Sequence, residues 1–140
     1  MRVMPITTTS VQHIRLTVTD ITRSRAFYES VFGWPVALEV PAGADAATRE
    51  KLWFLYGGVL YRAGQMLVGL RPVANDRFDE NRVGLDHLAF LVSTTAELDA
   101  AAAHLDELGV AHEPVKDIGT SHILEFRDPD NIALELIALK

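Results

Sequence analysis

Two stretches of the chain carry the same alternation of apolar and polar positions. In residues 11–18, Ile14, Leu16 and Val18 fall on one face and His13, Arg15 and Thr17 on the other, the pattern of a half-buried strand. Residues 84–92 repeat it, with Leu88, Phe90 and Val92 opposite His87. Asp20 is a favourable N-cap for ITRSRAFYESVF, in which Ser24, Phe27, Tyr28, Val31 and Phe32 take helical spacing and Gly33 supplies the stop. After the second strand, Thr94 and Glu97 form a capping-box pattern. Leu98, Ala101, Ala102 and Leu105 then make an apolar stripe that Gly109 ends. Strand-like segments follow each helix, at 35–40, 51–57 and 64–71 in the first half and about 111–115, 120–127 and 132–139 in the second. PAGADAATRE (41–50) reads as a surface loop and VANDRFDENR (73–82) as an exposed linker.

Each half is therefore a βαβββ unit, module one about 11–73 and module two about 84–139 of a single domain spanning 1–140. One such unit leaves a sheet face bare. Two side by side can curve into a cup with helices outside, which sets the expected class as α+β with a mixed sheet.

Composition narrows the functions open to this fold. Of 140 residues, 49% are hydrophobic, enough for a real core, and the formal net charge is −6. No basic stripe is present to neutralise phosphates, so nucleic acid is not an expected partner. The absence of cysteine excludes disulfides, thiolate metal sites and cysteine nucleophiles. No apolar run reaches the roughly 18–20 residues that span a bilayer, and no membrane partner is expected. The opening MRVMPITTTS has neither a long apolar region nor a small-residue cleavage site, so a cytoplasmic protein is the default expectation.

Three side chains then stand out. His13 and His87 sit at equivalent repeat positions, opposite their apolar triplets, and both would face the cup. A single strand histidine is more often a satisfied half-buried residue, but repetition weakens that reading. Glu135 lies within the apolar run IALELIAL, where an unpaired buried carboxylate costs several kcal/mol. Two neutral imidazoles and one carboxylate on converging strands make a divalent metal site. His122 is a candidate acid or base beside it. Arg15 and Thr17 share the face of His13 and are candidate substrate contacts, and Trp53, Tyr56 and Tyr61 are candidate pocket walls or core aromatics. His104 and His112 fit a solvated helix and a loop.

The segments HIRLTVTDITRSRAFYESVFGWPV, LDHLAFLV and FRDPDNIALELI together resemble the vicinal oxygen chelate superfamily over nearly the whole chain. That superfamily includes glyoxalase I, fosfomycin-resistance thiol transferases, methylmalonyl-CoA epimerase, extradiol dioxygenases and bleomycin-binding proteins. The resemblance implies metal ligands on the first and last strands of each module, which selects His13, His87 and Glu135. The fourth place falls on Gly69, where four-ligand members keep Glu or Gln; Gln65, the nearest polar residue, is four positions away. A two-His, one-carboxylate set with open positions suits one Fe2+ or Mn2+, with Ni2+, Zn2+ or Co2+ as alternatives. It further implies a small substrate bound through two vicinal oxygens and a homodimer, sometimes with modules exchanged between chains. Dioxygenase-like chemistry is the favoured expectation. Lyase or isomerase chemistry, thiol transfer to an antibiotic and metal-free drug binding are the alternatives. Two features depart from the three-ligand subgroups. Glu125 stands where extradiol enzymes keep a tyrosine, and the fosfomycin group's basic and tyrosine contacts have no clear counterparts. GTSHI (119–123) resembles a loop of the fosfomycin group, and Asn131 of DPDN (128–131) is placed to tolerate a left-handed turn.

Overall fold

A computed structural model describes residues 3–140. Module one runs β1 (His13–Thr17), α1 (Ile21–Phe32), β2 (Val36–Glu39), α2 (Ala46–Lys51), β3 (Val59–Ala63) and β4 (Met66–Arg71). Module two runs β5 (Leu88–Val92), α3 (Thr95–Glu107), β6 (Lys116–Asp117), β7 (Ser121–Arg127) and β8 (Ala133–Leu139). Each builds a four-stranded sheet, in the orders β1-β4-β3-β2 and β5-β8-β7-β6. In both, the first strand runs parallel to the last and the remaining pairs are antiparallel. The α+β class and the duplicated βαβββ order are those the sequence implies.

The caps behave as their residues demand. The Asp20 side chain accepts from the Arg23 amide, and Gly33 closes α1 in the left-handed conformation with φ 64°. Thr94 and Glu97 form a complete capping box on α3. Asn131 takes φ 71° in its turn.

One element differs from the sequence reading. The apolar run at 51–57 is not a strand: α2 ends at Lys51 and residues Trp53–Leu55 form a 3-10 turn. Asp45 caps α2 inside the stretch expected as loop, accepting from the Thr48 amide. The strand begins only after Gly57 and Gly58, as Val59–Ala63. In module two the expected strand at 111–115 is reduced to a single bridge between His112 and Phe126, with the short β6 following it.

The apolar faces of both sheets contribute to one core, in which Leu16, Tyr28, Tyr61, Leu70, Leu98, Leu124 and Leu134 are buried. Aromatic contacts from α1 join the modules: Phe32 packs on Phe90 and Phe126 of the second sheet and on Trp34 of its own module. The DPDN turn ties them more tightly. The buried Tyr28 hydroxyl donates to Asp128 at 2.9 Å, and the Thr19 amide and Arg23 guanidinium donate to Asp130. Asp128 also accepts the amides of Asp130 and Ile132. Burial raises the Asp128 carboxyl pKa, against the lowering effect of the Ile132 amide and the Tyr28 hydroxyl. A carboxyl with a raised folded-state pKa contributes stability below its unfolded pKa that is lost as pH climbs through the folded value. At neutral pH the ionised Asp128 therefore depends on its donors. Tyr28→Phe is expected to cost about 1–3 kcal/mol at neutral pH. Denaturant titrations should show that gap narrowing once Asp128 is protonated in acid.

Candidate functional site

The faces turned away from this core carry the polar residues of the alternating strands. On the first sheet the ladder sets Arg15 beside Gly69 and Leu60, Thr17 beside Arg71, and His13 beside Leu67. On the second it sets Ala89 beside Glu135 and Glu135 beside Glu125, with His87 one residue before β5 on the same face. Since His13 corresponds to His87, Arg15 corresponds to Ala89, and Gly69 stands in module one where Glu135 stands in module two.

His87 and Glu135 come together. The His87 Nε2 lies 3.8 Å from Glu135 Oε1, in a cleft of about 270 Å3 that also includes His112, Glu125 and Arg127. Donors of one metal at bond lengths of roughly 2.0–2.2 Å sit roughly 3–4 Å apart, so the pair is spaced for a shared ion. The Glu135 side chain is 12% exposed and that of His87 46%, so the pair sits at the wall of an open face.

Both histidine rings are oriented by the residue before them, which the sequence reading did not single out. His87 Nδ1 lies 2.6 Å from an Asp86 carboxylate oxygen, and His13 Nδ1 lies 2.5 Å from Gln12 Oε1. In the neutral ring, Nδ1–H donated to these acceptors places the lone pair on Nε2, the form a metal ligand requires. The Asp86 hydrogen bond raises the His87 pKa, burial opposes it, and Glu135 adds to the rise. The signal was present in the chain: an acceptor immediately precedes each repeated histidine.

His13 lies elsewhere. Its cleft, about 240 Å3, is lined by Gln12, Arg15, Phe54, Leu60 and Leu67 and shares no residue with the His87 cleft. Among the described residues, no group of three or more His, Asp or Glu within one chain is placed to hold a metal. Arg15, Thr17, Trp53 and Tyr56 line a third cleft beside that of His13. Tyr61 belongs to the core, fully buried with its hydroxyl donated to Glu29.

His122 is on the wrong face for chemistry at Glu135. It pairs with Ala138, which is buried in the core, and its ring lies 3.3 Å from the Thr95 hydroxyl and 3.6 Å from Asp117. Strand alternation puts Glu125, and with it the directly paired Glu135, on the opposite face of the sheet.

Similarity to known proteins follows the same outline. The model of the Glyoxalase/Bleomycin resistance protein/Dioxygenase superfamily matches residues 10–136. The protein YaeR of Escherichia coli (strain K12) is 32% identical over 131 residues, covering 90% of this chain and 93% of YaeR. A glyoxylase/bleomycin resistance protein/dioxygenase domain from Frankia sp. EAN1pec superposes with a TM-score of 0.76 at 29% identity, over 96% of this chain and 94% of that one. A mutant of the fosfomycin resistance protein FosX from Listeria monocytogenes, complexed with Mn(II) and 1S,2S-dihydroxypropylphosphonic acid, is similar in fold. Its TM-score is 0.75 at 19% identity, over 96% of this chain and 95% of that one.

Proposed function

Because the chain belongs to the Glyoxalase/Bleomycin resistance protein/Dioxygenase superfamily, we propose that it is a divalent-metal enzyme whose site is completed by two copies of the chain. His87 and Glu135 of one copy and His13 of the other are the ligands. The observation that carries this reading is the spacing of His87 and Glu135, 3.8 Å apart on an open face, with Asp86 holding Nδ1 so that Nε2 is turned toward Glu135. Two imidazoles and one carboxylate suit Fe2+ or Mn2+ and leave coordination positions open. Gly69 has no side chain to offer as a fourth donor. The substrate is a small molecule held through two vicinal oxygens, and oxygen-dependent oxidation or cleavage of a catechol-like compound is the favoured reaction. When bound, the ion supplies Lewis-acid stabilisation of charge on those oxygens.

The homodimer has support of its own. The free face of the first sheet carries Arg15, Arg62 and Arg71, and that of the second carries Glu125 and Glu135 together with Lys116 and Arg127. Leu91, on the same side as Glu135, is 68% exposed, and Val11 beside the first sheet is 66% exposed. An apolar groove of about 540 Å3 runs between them, lined by Met66, Ala89 and Trp34 among others. Uncovered apolar surface favours placing one copy's first sheet over the other's second. No helix among the described residues is long and apolar enough to cross a membrane.

The direct test is metal analysis after reconstitution with Fe2+, Mn2+, Ni2+, Zn2+ and Co2+. About one ion per chain is expected; a protein that takes up none of them is not this enzyme. The Fe2+ form should then consume O2 with a member of a catechol panel. Metal uptake with no O2 consumption would instead favour lyase or isomerase chemistry.

A further inference from the structure

The place of a fourth ligand at Gly69 is filled by two side chains, Leu60 and Arg15. A Cβ at Gly69 would lie 2.9 Å from Arg15 Cγ and 2.6 Å from Leu60 Cδ2, so the Arg15 stem crosses the sheet where a fourth ligand would project. Its Nη2 donates to the Phe54 carbonyl at 2.7 Å, which anchors the side chain against the 3-10 turn. Its Nε is buried without a hydrogen-bond partner. Of five donors on the guanidinium, one is engaged. Arg71, one rung further along the same face, packs its guanidinium 4.2 Å over the ring of Tyr56. Among the described residues neither arginine has a carboxylate partner, and no carboxylate lines the cleft of about 440 Å3 between them.

Both guanidiniums line this cleft with N–H donors to spare, which makes it a place that attracts an anion. The surrounding groups suit the rest of such a ligand. Trp53 and Tyr56 stand edge to face with centroids 6.0 Å apart, 66% and 47% exposed. Tyr56 is held in the left-handed region, φ 53°, a conformation that a tyrosine rarely adopts and that orients its ring toward Arg71. The cleft is continuous with that of His13, because Arg15 and Phe54 line both. Same-face residues step about 7 Å along a strand, so the arginines lie roughly 7–13 Å from His13.

We propose that Arg15 and Arg71 seat the anionic group, carboxylate or phosphate, of a substrate whose planar portion rests against Trp53 and Tyr56. This deepens the metal reading by naming the substrate class, and it rests on that reading only in assigning the other end of the molecule to His13. Charge-assisted, bidentate contacts to guanidinium give such a seat its selectivity. Glycine at position 69 leaves the space that the Arg15 stem and Leu60 occupy.

The test is calorimetric titration of metal-free protein at low ionic strength with inorganic phosphate, benzoate, acetate and benzyl alcohol. Saturable binding of phosphate and benzoate is expected, with benzoate tighter than acetate and benzyl alcohol silent. Arg71→Gln should weaken both anions by about tenfold or more, and Arg71→Lys by less, since an ammonium keeps the charge but not the fork. Arg15→Gln should match Arg71→Gln; because the Arg15 stem is partly buried, Arg71 carries the test if that variant does not fold. No saturable binding, or affinities unchanged in Arg71→Gln, would overturn the proposal. So would anion binding that appears only after metal is added, which would place the anion on the ion. A protein that binds no metal yet binds anions through Arg71 would refute the metal reading and leave the anion seat standing.

Discussion

Glu135→Ala protein is expected to lose at least about 100-fold in divalent-metal affinity, beyond the roughly 10–100-fold that removal of an outer hydrogen-bond partner brings. The expectation follows from the donor count. Among the described residues Glu135 is the carboxylate paired with His87 Nε2, at 3.8 Å, while Glu125 pairs with Lys116 at 3.3 Å and Asp86 is committed to the opposite ring nitrogen. Removing Glu135 leaves two imidazoles, which cannot exclude water from a hard ion such as Mn2+. The fold should survive the change. Glu135 faces Glu125 directly across the ladder, and like charges in that position are destabilising, so the variant should melt no lower than its parent. Equilibrium dialysis against Mn2+ or Co2+, with thermal melts alongside, checks both halves. Affinity within tenfold of the parent would remove Glu135 from the site. A lowered melting temperature with lost binding would make its role structural. Glu135→Gln should fall between, keeping a neutral oxygen donor.

What the chain made legible follows the reach of each physical signal. Alternation and caps are local, so α1, α3 and both histidine strands are recognisable from a few neighbouring residues, and the duplicated order follows from their repetition. The run KLWFLYG misled because bulky apolar side chains suit strands, whereas here Asp45 starts a helix and the glycine pair at 57 and 58 delays the strand. Gly58 must be glycine: a Cβ there would meet the Leu70 carbonyl oxygen at 1.9 Å, so this is where the backbones of β3 and β4 close up. His122 misled through parity. Counted along β7 from the pairing with β8, it falls among the core-facing residues with Leu124 and Phe126. The positions of His87 and Glu135 were legible because they share one sheet. Where His13 stands relative to them was not, since neither alternation nor spacing encodes how two sheets are placed. Gln12, Asp86 and Arg71 were visible as residues, but their roles depend on contacts between neighbouring strands and turns.

A mixture of His13→Ala and Glu135→Ala chains, each inactive alone, is expected to recover about a quarter of the parent's metal sites once subunits exchange. In the shared-site arrangement, each site takes His13 from one copy and His87 with Glu135 from the other. Random pairing makes about half the dimers mixed, and in a mixed dimer both lesions fall in one site while the other is whole. If each chain held its own site, the mixture would recover nothing, because every chain carries a lesion. The converse mixture sharpens the distinction. A chain carrying both substitutions, mixed equally with the parent, spoils both sites of every mixed dimer, so bound metal should fall to about a quarter of the parent value rather than about a half. The separation of the His13 cleft from the His87 cleft within one chain makes the shared arrangement the one that assembles three ligands. Recovery of a quarter in the first mixture together with a fall to a quarter in the second can come only from a site that two chains share.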